Sequence, residues 1–112
     1  MKQLHLIAVP NGTFTLDQII ASDFMKETIH ELHSHEAPED AKIKTFLAMY
    51  QMIDTLAQIH SQGFDLKDVN MDGLRKNMKT TIDLGYDSIM NTFTHQEQKK
   101  IRELVKKPTT TK

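Results

Sequence analysis

Apolar side chains recur at intervals of three and four residues along most of this chain, a spacing typical of amphipathic α-helices. The longest such segment follows Gly63 and holds a single helical phase for about six turns. Within it Gly85 falls on the apolar face, where the missing side chain would allow another helix to approach closely. The apolar positions of this predicted helix are Met71, Leu74, Met78, Ile82, Ile89 and Phe93.

Another long helix is predicted between Pro38 and Gly63. Proline suits the first turn of a helix, and glycine commonly follows the last one. Apolar residues occupy most of the circumference of this segment and leave only a narrow polar face. Such a helix either lies at the centre of a bundle or presents a second face to a partner.

Capping residues predict three more helix starts. Thr15 stands three residues before Gln18, and Thr94 stands three residues before Glu97, so that each pair predicts a capping box. The apolar phase that begins after Thr15 breaks near Ser22. Ser22 is therefore predicted to cap a second helix that ends at about residue 34.

The two ends of the chain differ from the helical segments. Lys2 to Val9 is β-prone and stops at turn-forming residues, which predicts a short strand or an extended arm. Pro108 ends the last helix, so residues 108–112 are expected to form a disordered tail. The predicted fold is mainly α, a single domain over residues 1–107. It is an antiparallel bundle of four to five helices with a short N-terminal β-strand or extended arm.

Composition and charge narrow the functional classes. The 112 residues suffice for one modest core, and the absence of cysteine excludes disulfides, thiolate metal sites and thiol nucleophiles. No apolar run approaches the roughly 20 residues of a membrane span, so a cytoplasmic protein is expected. Residues 1–56 hold four bases and eight acids, whereas residues 57–112 hold ten bases and seven acids. This asymmetry suits either a basic binding region or the pairing of two copies.

The segment Asp68–Gly73 matches the first half of a calcium loop, with alternating oxygen donors followed by glycine. Lys79 stands where the second half needs a bidentate glutamate. A helix start explains the same residues better, with Asp65 as the cap and the helix beginning at Leu66. No metal site is predicted here.

A histidine cluster at the end of the second predicted helix is the other metal candidate. His30 and His33 share a helical face, and His35 follows in the loop. Histidine near a helix C-terminus is also favourable without a metal, so a solvated, pH-sensitive cap is the preferred interpretation. No metal and no cofactor are predicted for this protein.

Basic residues of the C-terminal half make nucleic acid the alternative partner. They are Arg75, Lys76, Lys79, Lys99, Lys100, Arg102, Lys106 and Lys107. These cations suit phosphate contacts, but the isoelectric point near 6.6 lies far below that of typical nucleic-acid-binding domains. Aromatic residues for base stacking are not interleaved with the lysines.

A protein interface is the preferred prediction. Methionines and other apolar residues on the Pro38–Gly63 helix provide an adaptable contact surface, and a homodimer would bury it. No nucleophile elbow or phosphate-binding loop indicates an enzyme, and no catalytic residue is predicted. The sequence therefore predicts a small non-enzymatic interaction or regulatory module that self-associates. The predicted partner-binding residues are Met49, Met52, Leu56 and Ile59.

Overall fold

Five α-helices make up most of the computed structural model, which describes residues 15–106. The mainly α fold is thereby confirmed. The predicted N-terminal strand and the C-terminal tail lie outside the described residues. In chain order the helices are α1 (Leu16–Ile20), α2 (Asp23–Ser34), α3 (Glu39–Ser61), α4 (Met71–Met90) and α5 (His95–Val105).

Helix α3 lies at the centre of the packing. It packs most extensively against α4 and also contacts α1, α2 and α5. Its apolar residues are buried round much of its circumference, which explains why its sequence lacks a single hydrophobic stripe. The largest fully buried side chains of the protein include Phe46, Ile43, Leu47 and Ile53 of α3, together with Ile19, Met25, Ile82 and Ile101.

The N-caps predicted at Thr15, Ser22 and Thr94 are confirmed. The Thr15 hydroxyl accepts a hydrogen bond from the Gln18 backbone N–H at 3.1 Å, and the Gln18 side chain accepts one from the Thr15 N–H at 2.9 Å. Thr94 and Glu97 form the same reciprocal pair at the start of α5. Ser22 caps α2, with its Oγ 3.2 Å from the Met25 backbone nitrogen.

Gly63 ends α3 as its position predicts. The Gly63 N–H donates to the His60 carbonyl at 3.0 Å, and the Phe64 N–H donates to the Ile59 carbonyl at 3.3 Å. These two bonds form a Schellman motif. It requires the positive φ of 91° that Gly63 adopts without the steric cost of a side chain.

The predicted start of the next helix at Leu66 is wrong. Leu66–Asp68 forms a single 3-10 turn, in which Asp65 Oδ1 accepts from the Lys67 backbone N–H at 2.9 Å. Helix α4 begins only at Met71, where Asn70 Oδ1 accepts from the Gly73 N–H at 3.1 Å. Asp65 and Asn70 each accept a hydrogen bond from a backbone N–H group that follows them. The chain therefore forms a short 3-10 turn after Asp65 and a separate α-helix after Asn70.

Gly85 does not mark a close helix crossing. A Cβ atom built there would meet no atom within 4 Å. Instead, Gly85 has the non-helical dihedral angles φ −128° and ψ 32°, so that α4 kinks at this residue. Glycine weakens the helix locally, and the chain bends where the weakening occurs.

Candidate interaction surface

The connection between α3 and α4 carries an exposed aromatic side chain. Phe64 is 62% exposed, and its backbone is held by the Schellman motif that ends α3. Three partly buried apolar residues belong to the same end of the molecule: Ile59 in the last turns of α3, Leu66 in the 3-10 turn, and Val69 just after it. We refer to Ile59, Phe64, Leu66 and Val69 as the hairpin patch.

Six exposed charged residues lie in the same stretch of the chain as the hairpin patch. Three are acidic and three are basic, namely Asp65, Asp68, Asp72, Lys67, Arg75 and Lys76. In the described part of the chain none of the six forms an ion pair, although Asp65 accepts the backbone hydrogen bond of its own turn. The six charges of this stretch therefore sum to zero.

The four predicted partner-binding residues are divided between core and surface. Met52 and Leu56 are 0% and 1% exposed, so neither presents surface to a partner in the folded chain. Met49 and Ile59 are partly buried and keep some accessible surface. Their role in binding stays a prediction, and Ile59 is the residue that the prediction shares with the hairpin patch.

Sequence reasoning did not identify Phe64 as a contact residue. No local signal indicated its exposure, because the residue after a helix-ending glycine commonly packs back onto the last turns of the helix. Among residues 15–106, Leu84 is the other large exposed apolar residue, at 85%, and it projects singly from α4.

One histidine of α2, His33, forms a structural contact. His33 Nε2 lies 2.7 Å from the Leu104 carbonyl oxygen, so this nitrogen donates the proton and joins α2 to the last turn of α5. His30 and His35 are exposed. Among residues 15–106, no group of three or more His, Asp or Glu side chains is placed to hold a metal ion, and this includes the Asp68–Gly73 segment.

A half-buried polar group lies on α3. Asp54 Oδ2 accepts a hydrogen bond from Gln58 Nε2 at 3.0 Å. Burial raises the pKa of the Asp54 carboxyl above its ordinary value, and the Gln58 hydrogen bond offsets part of that rise.

Burial, together with the charges of Asp54 and Glu97, raises the pKa of Tyr50 to about 12. The Tyr50 ring packs edge-on against Phe93, with 5.2 Å between ring centroids.

Three of the basic residues have acidic neighbours in the described structure. Lys100 Nζ lies 2.6 Å from Asp17 Oδ1, and Lys106 Nζ lies 3.9 Å from Glu39 Oε1. Lys79 lines a surface depression that also contains an aspartate from its own helix, Asp83. Acidic neighbours of this kind reduce the local attraction for phosphate groups.

No protein family matches this chain, and no curated protein or solved structure is significantly similar to it. The fold and the candidate surface therefore carry the functional argument. Within residues 15–106, none of the helices has the length and apolar character needed to cross a membrane.

Proposed function

We propose that this protein is a small, non-enzymatic protein-interaction module that acts by binding a protein partner. The observation that carries the proposal is the exposed Phe64 ring on a backbone fixed by capping hydrogen bonds. Ile59 and Met49, which both belong to α3, add partly accessible apolar surface. Self-association is the preferred form of binding.

An aromatic side chain in this position is suited to serve as a binding anchor. Aromatic residues dominate the energy of many protein interfaces because one ring buries a large apolar area. The Gly63 and Asp65 hydrogen bonds already hold the backbone on both sides of Phe64. Binding therefore loses little backbone entropy, which favours affinity.

The polar interior supports a non-catalytic role. In the described part of the chain, every buried side-chain nitrogen or oxygen atom has a hydrogen-bond partner. The buried Ser22 hydroxyl caps a helix, and the Thr28 hydroxyl donates to the Phe24 carbonyl at 2.9 Å. These two buried hydroxyls are used to build helices.

We also infer that the helices form an antiparallel bundle with the N-terminal segment as a strand or arm. One contact supports an antiparallel course for α3 and α5: Lys106, just after the end of α5, lies 3.9 Å from Glu39 at the start of α3. A cytoplasmic location is likewise part of the proposal.

Site-specific photo-cross-linking tests the interaction function. A photoreactive phenylalanine analogue is placed at position 64 and, as the matched control, at position 84, which is also exposed. In intact cells that produce the protein, we expect a discrete protein adduct from position 64 and no corresponding adduct from position 84. The proposal fails if position 64 yields no specific protein adduct.

A further inference from the structure

We draw no further inference here: the strongest candidate, the hairpin patch at the connection between α3 and α4, belongs to the surface already described, and nothing in the structure shows what covers its exposed Phe64 ring.

Discussion

Single hydrogen-bonding side chains set several helix boundaries of this protein. Ser22 is the clearest case, because its hydroxyl is fully buried and makes two hydrogen bonds. It donates to the Ile19 carbonyl at 2.7 Å and accepts from the Met25 N–H at 3.2 Å. One residue thus satisfies the end of α1 and the start of α2.

Removal of this hydroxyl should destabilise the protein more than removal of an exposed cap. We expect Ser22→Ala to lower the free energy of unfolding by about 1–2 kcal/mol, because two buried backbone groups lose their partner. Thr15→Ala, at the exposed start of α1, should cost about 0.5–1 kcal/mol. Urea denaturation of both variants measures the difference, and equal losses would contradict the double role of Ser22.

Asp54 should make stability depend on pH. Its carboxyl has a raised pKa in the folded state, so the folded chain holds this proton more tightly than the unfolded chain. Its contribution to stability therefore falls as the pH rises from the unfolded value near 3.8 through the higher folded value. Above the pKa of the folded state, the contribution of Asp54 to stability is lost completely.

The substitution Asp54→Asn tests this sign. We expect the variant to be more stable than the wild type at pH 7, with the difference shrinking as the pH falls towards 4. Gln58→Ala is the matched control. It removes the hydrogen bond that lowers the pKa, so carboxyl NMR titration should find an even higher pKa for Asp54. A pH-independent difference in stability would show that Asp54 is not responsible.

At the scale of elements, the chain uses local signals to start helices and tertiary contacts to fix their positions. Helix α5 has few buried residues, principally Ile101 and Val105. A hydrogen bond from His33 to the backbone carbonyl of Leu104 joins α5 to α2. This carbonyl lies in the last turn of α5 and has no partner within the helix.

Loss of this hydrogen bond should loosen α5. We expect His33→Ala to cost about 1–2 kcal/mol of unfolding free energy, because the Leu104 carbonyl is left partly buried without its donor. Amide hydrogen exchange should accelerate first in α5. His30→Ala, at an exposed position on the same helix, serves as the control and should change stability by less than about 0.5 kcal/mol.

For the whole molecule, the distribution of charge bears on the alternative partner, nucleic acid. Lys100 and Lys106 have acidic neighbours, and the net charge of the chain is −1. We expect no shift of mixed double-stranded DNA in a gel at about 150 mM salt. A shift that weakens steeply with added salt would instead favour the nucleic-acid-binding alternative.

The sequence determined the helical class and most helix starts, because caps and stop signals act between residues close in the chain. Thr15, Ser22, Thr94 and Gly63 are examples in which the predicted roles are confirmed. The start of α4 was predicted wrongly because Asp65 and Asn70 can both cap a helix with similar strength.

Only the tertiary structure decided which apolar residues remain accessible. Met52 and Leu56 share an apolar arc with Met49 and Ile59, yet the fold buries the first pair and leaves the second partly exposed. A periodic pattern shows that a face is apolar but not what covers it, since burial depends on helices distant in sequence. For the same reason, the sequence did not show that the fold leaves Phe64 exposed while it buries the aromatic residues of the core.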